Sequence, residues 1–201
     1  MVHRYFLVVI IFLAVAPGFA DTQKAVEKAH RAEQEFNRHN VVGAEKLLRE
    51  AIKEDPEYID AHDMLANLLG ATNRNSLAAQ EYGRVLELDA KQNKLSAEHK
   101  RLVIDNQAVA YAQSGDLERA KSIYLDVLKG DPDYAMYNYN LACVYAEMHD
   151  LDSALPYLKK SWANRNNMPT NIKFPDPRKD NSFRSYVDDP KFQEAVRNMV
   201  Q

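Results

Sequence analysis

The chain has 201 residues, of which 26 are lysine or arginine and 29 are acidic, and its formal net charge is −3. A hydrophobic fraction of 46% with 27% charged residues excludes wholesale disorder and is typical of a folded soluble protein. No excess of positive charge is present to hold a phosphate backbone, so nucleic acid is not expected as a partner.

Residues 1–20 have the pattern of a secretory signal peptide. A basic start at Arg4 precedes an apolar run over 6–16, and Gly18 and Ala20 are the small residues that a cleavage site requires. Because the apolar run is shorter than the about 20 residues of a membrane-spanning helix, we expect cleavage after Ala20 and no stable membrane insertion afterwards. A bacterial periplasm is the expected location, with secretion or an uncleaved signal anchor as alternatives.

Cys143 is the single cysteine of the chain, so no disulfide can form within it. It lies on a helical pattern between apolar neighbours, which predicts a buried small hydrophobic side chain. A thiol that pairs between chains is the alternative. Stability must therefore come from packing.

Alanines recur along the chain at a fixed spacing. Ala44 and Ala78 are 34 residues apart, and Ala120 and Ala154 are again 34 apart, with a gap of 42 between the two pairs. A second set repeats these gaps: Ala32, Ala66, Ala108 and Ala142. Coincident periods at two registers predict four repeated units, with eight extra residues before the third.

The third unit shows why each repeat should be a pair of helices. Ile104, Ala108 and Tyr111 share one helical face by their spacing. Gly115 and Asp116 provide a glycine to end that helix and a cap to begin the next. The second helix has an inward stripe and a stop: Ala120, Tyr124 and Val127, then Gly130, Asp131 and Pro132.

These residues resemble the tetratricopeptide repeat, whose period is about 34 residues. The third unit carries the family's marks at Ala108, Tyr111, Gly115, Ala120, Tyr124 and Pro132. The fourth unit carries Leu141, Ala142, Tyr145, Ala154 and Leu158. The resemblance covers 24–164 and implies an all-α fold, a right-handed α-solenoid of about four helix-turn-helix hairpins. The chain departs from the pattern in its polar first helix and at Ala90 and Asn166, where a closing proline is missing.

The resemblance also predicts a division of the chain. The expected segments are a signal peptide at 1–20, repeat units at about 25–58, 59–92, 97–134 and 135–164, and a loop with C-terminal capping helices at 165–201. A solenoid exposes its last hydrophobic face unless a further segment covers it, so the role expected for 165–201 is structural.

The eight extra residues lie among 91–100. Ser96, Ala97 and Glu98 look like a helix start that leads directly into the third unit. We therefore expect the first helix of that unit to be extended at its N-terminal end, as a tolerated insertion or as a partner contact.

In tetratricopeptide proteins the first helices of successive units line a concave groove that receives a peptide or helix of a partner. By this resemblance the groove here carries Asp60, Asp63 and Asn67 from the second unit, Leu102, Asp105, Asn106, Val109 and Gln113 from the third, and Met136, Tyr139, Asn140, Cys143 and Glu147 from the fourth. One end is acidic and the other apolar and aromatic.

Three side chains of this groove are given specific roles. The amides of Asn106 and Asn140 are expected to hold a partner's backbone, and Tyr139 is expected to face solvent as an aromatic anchor. Some family members grip a C-terminal carboxylate with basic residues, but the matching positions here include Glu33 and Leu102. The expected partner is therefore a protein segment with basic and hydrophobic residues.

No arrangement of residues indicates catalysis, a cofactor or a metal. Asp60, His62 and Asp63 are the most suggestive cluster, but His62 would point away from the face that the two aspartates share. No phosphate loop, nucleophile elbow or paired cysteines occur. The predicted function is a non-catalytic exported scaffold for an unidentified partner. The alternatives are a self-associating subunit of an envelope assembly and an unrecognised enzyme.

Overall fold

A computed structural model describes residues 17–168 and 172–199, with side chains from Asp21 onward. Within these residues no strand occurs, and the α-helices are α1 (Pro17–Asn37), α2 (Val41–Glu54), α3 (Ile59–Ala71), α4 (Asn75–Gln92), α5 (Ala97–Gln113), α6 (Leu117–Gly130), α7 (Ala135–Glu147), α8 (Leu151–Ala163) and α9 (Pro190–Val196). The all-α prediction is confirmed. Residues 1–16 of the predicted signal peptide lie outside the described residues. Residues 17–20 form the start of α1.

The chain divides between Ala61 and His62 into two compact units. In the first unit, α1 and α2 form a hairpin whose buried faces consist of Ala25, Ala29 and Ala32 on α1 and Ala44, Leu48 and Ala51 on α2. Two side-chain contacts join the helices near their far ends. Thr22 Oγ1 donates to Asp55 Oδ2 at 2.6 Å, and Lys28 Nζ donates to Glu54 Oε1 at 2.8 Å. Small buried side chains thus let the two helices approach closely.

The turn inside each hairpin contains a residue with a positive φ angle. These residues are His39 (62°), Asn73 (58°), Gly115 (88°) and His149 (63°). Their spacing follows the alanine repeat. The left-handed conformation is easiest for glycine, which explains Gly115 at the end of α5. The cap expected after it is confirmed, because Asp116 Oδ1 accepts a hydrogen bond from the Arg119 amide at 3.2 Å.

The second unit contains the later hairpins and the C-terminal segment. Neighbouring helices pack in chain order from α4 to α8, and α5 also touches α7. One buried cluster between α5, α6 and α7 consists of Ala108, Ala120, Tyr124, Tyr134, Tyr137, Leu141 and Val144. Three residues that mark the third repeat in the sequence therefore lie in a hydrophobic core: Ala108, Ala120 and Tyr124.

The eight extra residues lengthen two helices rather than one. α5 has 17 residues where α3 and α7 have 13, which confirms the predicted extension at its N-terminal end. α4 has 18 residues where α2 and α6 have 14. The insertion therefore adds about one turn to each helix. The predicted cap is present, since Ser96 Oγ accepts from the His99 amide at 3.1 Å.

The C-terminal segment, 172–199, folds onto the last hairpin. Two 3-10 turns, Pro177–Lys179 and Asn181–Tyr186, precede α9. The second turn packs on α7, and α9 packs on α8. Pro190 starts α9, and Asp189 Oδ1 caps it by accepting from the amides of Lys191 and Phe192 at 2.8 and 3.2 Å. None of the helices within 17–168 and 172–199 has the length and apolarity needed to cross a bilayer.

Candidate partner-binding site

A cavity of about 500 Å³ lies between α5, α7 and the C-terminal segment. It is lined by Val109, Ala112, Gln113, Tyr124, Asn140, Cys143, Val144, Glu147, Asp180 and Ser182. Five of the residues predicted for the groove meet here: Val109, Gln113, Asn140, Cys143 and Glu147. The residues on α5 are four apart in the chain, and those on α7 are three and four apart. Each set therefore lies on one face of its helix.

A buried hydrogen-bond network supports the floor of the cavity. Asp105 Oδ1 accepts from the Tyr124 hydroxyl at 2.9 Å and from Asn140 Nδ2 at 2.8 Å. Burial raises the pKa of Asp105 and raises the pKa of Tyr124 well above its ordinary value. One side-chain N–H of Asn140 is therefore used inside the protein. Its second N–H and its carbonyl oxygen are the groups left for the predicted role in holding a partner's backbone, which stays a prediction.

Tyr139 does not face solvent, and its prediction as an exposed anchor is wrong. Its side chain is 2% exposed, and its ring lies edge-on to Phe174 and Phe183 with centroid distances of 5.5 and 6.4 Å. Its hydroxyl donates to Asp180 Oδ2 at 2.9 Å. The C-terminal segment covers the part of α7 where an open groove was expected, so Tyr139 holds that segment in place.

Asp180 and Ser182 of the C-terminal segment form one wall of the cavity. The Ser182 amide donates to Asp180 Oδ1 at 2.9 Å, and the Ser182 hydroxyl donates to Glu147 Oε1 at 2.7 Å. Sequence analysis missed both residues because it treated 165–201 as a cover for the end of the array. The only local signal was an Asp-x-Ser pattern typical of a turn.

Cys143 is partly buried: it packs against the hydrophobic core beneath the C-terminal segment, as a small hydrophobic side chain was predicted to do, and it also lines the cavity. Its sulfur lies 3.8 Å from Asp180 Oδ2. Burial, followed by the nearby Asp180 carboxylate, raises the pKa of the thiol well above its ordinary value. The thiol therefore stays protonated at neutral pH and is a poor nucleophile.

Two residues of the predicted acidic end, Asp63 and Asn67, lie outside the cavity and contact other side chains of the protein. Asp63 Oδ2 lies 2.9 Å from His99 Nε2, on the added turn of α5. Asn67 Oδ1 accepts from the Tyr82 hydroxyl at 2.8 Å. Asp63 and Asn67 thus already have hydrogen-bond partners within the protein. Asp60, from the same repeat, is exposed and belongs to the first of the two compact parts of the structure, residues up to Ala61.

The other predicted groove residues lie outside the cavity but follow the same helices. Leu102 is 39% exposed, Asn106 is exposed and Met136 is partly buried. His62, from the cluster considered for metal binding, is buried with its Nδ1 at 2.7 Å from Glu81 Oε2. In the part of the chain that the structure describes, no three His, Cys, Asp or Glu side chains gather as a metal site would require.

The sequence and the structure of this chain were compared with those of known proteins. A family model described as tetratricopeptide repeat matches residues 104–134. No curated protein matches the chain in sequence.

Solved structures extend the match beyond this repeat. MamA MSR-1 is 20% identical, with a TM-score of 0.59, over 73% of this chain and 80% of that one. BtubC (BKLC) from P. vanneervenii is 19% identical, with a TM-score of 0.59, over 90% of this chain and 84% of that one. A tetratricopeptide repeat protein from Parabacteroides merdae is 16% identical, with a TM-score of 0.55, over 71% of this chain and 52% of that one. This chain thus carries a tetratricopeptide repeat at 104–134 within an all-α tetratricopeptide-repeat fold.

Proposed function

We propose that this chain is a non-catalytic interaction scaffold that binds a segment of a partner protein along the exposed faces of α5 and α7. The cavity carries this proposal, because it brings predicted groove residues from two separate repeats together in one concave surface. Sites for ligands and peptides are typically concave and partly apolar, with a few polar groups that fix orientation.

The surface around the cavity suits a peptide rather than a small polar metabolite. Leu102, Val109 and Met136 offer apolar area, while Gln113 is exposed at the cavity wall. A segment with alternating hydrophobic and polar side chains could bury the first group and hydrogen-bond the second. This agrees with the partner chemistry expected from the sequence.

Screening the full chain against a displayed peptide library tests the scaffold. We expect peptides to be selected whose binding is weakened at least tenfold by Gln113→Arg, which fills the cavity mouth from an exposed position. Ser122→Arg on α6 adds the same side chain at an exposed position that does not line the cavity, so it should bind as the parent does. A library that yields no binder, or binders that ignore Gln113→Arg, would contradict this site.

We also propose that the chain is exported to a bacterial periplasm and cleaved after Ala20. The pattern of residues 1–20 supports this. The bond from Thr22 to Asp55 would still anchor the start of α1 in a chain that begins at Asp21. In a bacterial host, the intact mass of the envelope-fraction protein should correspond to residues 21–201, and Ala20→Phe should retain the full-length mass. A full-length parent chain in the membrane fraction would instead indicate a signal anchor.

A further inference from the structure

We infer that the cavity between α5, α7 and the C-terminal segment receives one arginine or lysine side chain of the bound partner segment. This inference rests on the proposed scaffold function and specifies which partners the scaffold selects. It assigns the C-terminal segment a part in recognition in addition to covering the end of the array.

The walls of the cavity match the two parts of a long basic side chain. Val109, Ala112 and Val144 provide an apolar side against which a methylene stem can pack. The same lining carries Glu147 and Asp180, whose carboxylates can accept hydrogen bonds from a charged head group. Lysine and arginine commonly bury their stems while the charged ends stay in a polar setting.

The charge of the cavity is not balanced from within the protein. None of its lining residues is lysine, arginine or histidine. Glu147 accepts from the Ser182 hydroxyl, and Asp180 accepts from the Ser182 amide and the Tyr139 hydroxyl. These partners are neutral and leave the charge of both carboxylates uncompensated. Elsewhere in the same unit Asp89 pairs with Lys100 at 2.9 Å. A cation from the partner would supply the missing counter-charge, whereas an anionic group would be repelled.

Asp180 is held in place before any ligand arrives. Its Oδ1 accepts from the Ser182 amide, and its Oδ2 accepts from the Tyr139 hydroxyl and, more weakly, from the Cys143 thiol. A carboxylate has about four acceptor positions, so capacity remains for a further donor. A fixed carboxylate loses little conformational entropy on binding, which favours recognition at this residue.

An NMR titration of the full chain with N-acetyl-arginine methylamide tests the inference. We expect the amide resonances of Gln113 and Ser182 to shift and to saturate at millimolar probe. The citrulline analogue has nearly the same shape without the charge and should leave both resonances unmoved.

Matched charge variants distinguish the cavity from general electrostatics. Glu147→Gln combined with Asp180→Asn keeps the size of both side chains and should weaken the arginine shifts at least tenfold. Glu118→Gln combined with Asp126→Asn changes the same net charge at exposed positions on α6 and should not weaken them. Unchanged Trp162 fluorescence would verify that the C-terminal segment stays docked.

Two results would overturn the inference. One is equal shifts with arginine and citrulline, and the other is parent-like arginine binding by the Glu147 and Asp180 double variant. Either could occur while displayed peptides still respond to Gln113→Arg, in which case the scaffold proposal would stand with a different selectivity. Loss of peptide binding altogether would instead contradict the scaffold itself.

Discussion

Replacing Phe183 with alanine is expected to destabilise the docking of the C-terminal segment by about 3–5 kcal/mol, the usual cost of removing a buried phenylalanine side chain. Phe183 is fully buried. Its ring stacks on Phe192 at 5.3 Å between centroids and lies edge-on to Tyr139. No other side chain of the 3-10 turn Asn181–Tyr186 is buried to this degree. Phe183 therefore supplies the main apolar contact of the turn, beside the hydrogen bonds from Ser182 to Glu147 and from Tyr186 to the Ala146 carbonyl on α7.

Urea unfolding followed by Trp162 fluorescence measures this effect where it arises. Trp162 is the single tryptophan, and its ring lies 5.2 Å from that of Phe174 in the same segment. The Trp162 transition of Phe183→Ala should shift to lower urea. The arginine probe should also bind more weakly, because Asp180 and Ser182 would leave the cavity wall with the released segment.

Val187→Ala is the matched control, since Val187 also belongs to the C-terminal segment but is 37% exposed. Its truncation removes less buried area and should cost under about 1 kcal/mol. If Phe183→Ala kept the parent's Trp162 transition, the docking of the segment on α7 would be wrong. Tyr139 would then face solvent rather than lie beneath the C-terminal segment.

The helices were predictable from sequence because their signals are local. The alanine period gives the buried face, and the glycine and aspartate at 115 and 116 give a turn within a few residues. The covering of Tyr139 depends on Asp180, which is 41 residues away in the chain. No periodicity connects these two residues, so a contact of this kind is not encoded in a local pattern.

Five residues of the predicted site line one cavity, but the C-terminal segment covers part of the surface that was predicted to be open. Val109, Gln113 and Glu147 were assigned to one surface by the resemblance to the tetratricopeptide repeat, and they line the same cavity. Spacing did not reveal that Asn140 is engaged by Asp105, because hydrogen-bond partners depend on how α5 and α7 sit together. The sequence therefore predicted which residues face the cavity better than which of them are free to bind.

The length of α4 is explained by the residue that follows Asp89. Asp55 and Asp131 follow the last residues of α2 and α6, and the proline after each stops the helix. Asp89 occupies the same repeat position, but Ala90 follows it, and α4 continues to Gln92. With no proline to end the helix, the aspartate was free to take a different role.

Asp89→Ala is therefore expected to lower the free energy of unfolding by about 3 kcal/mol. Asp89 is 2% exposed, and its Oδ1 accepts from the amides of Lys94 and Leu95 at 2.9 and 2.8 Å. Alanine would leave two backbone donors without an acceptor, at about 1–3 kcal/mol each where they are shielded from water. Lys100 Nζ donates to Oδ2 at 2.9 Å, but its side chain is 46% exposed. That ion pair should therefore contribute under about 1 kcal/mol.

Urea unfolding of Asp89→Ala and Lys100→Met separates these two contributions, with the exposed Asp126→Ala as a control that should stay within about 0.5 kcal/mol of the parent. The contribution of Asp89 to stability should also depend on pH. Hydrogen bonds from the Leu95 amide and then from Lys100 lower the pKa of Asp89. Because the folded pKa lies below the unfolded value of about 3.9, the carboxylate stabilises the fold fully above that value, and this stabilisation is lost as the pH falls through the folded pKa. The deficit of Asp89→Ala should thus be full at pH 7 and shrink below about pH 4. An equal loss in Lys100→Met would show that the ion pair, rather than the capped backbone, holds the extended turn.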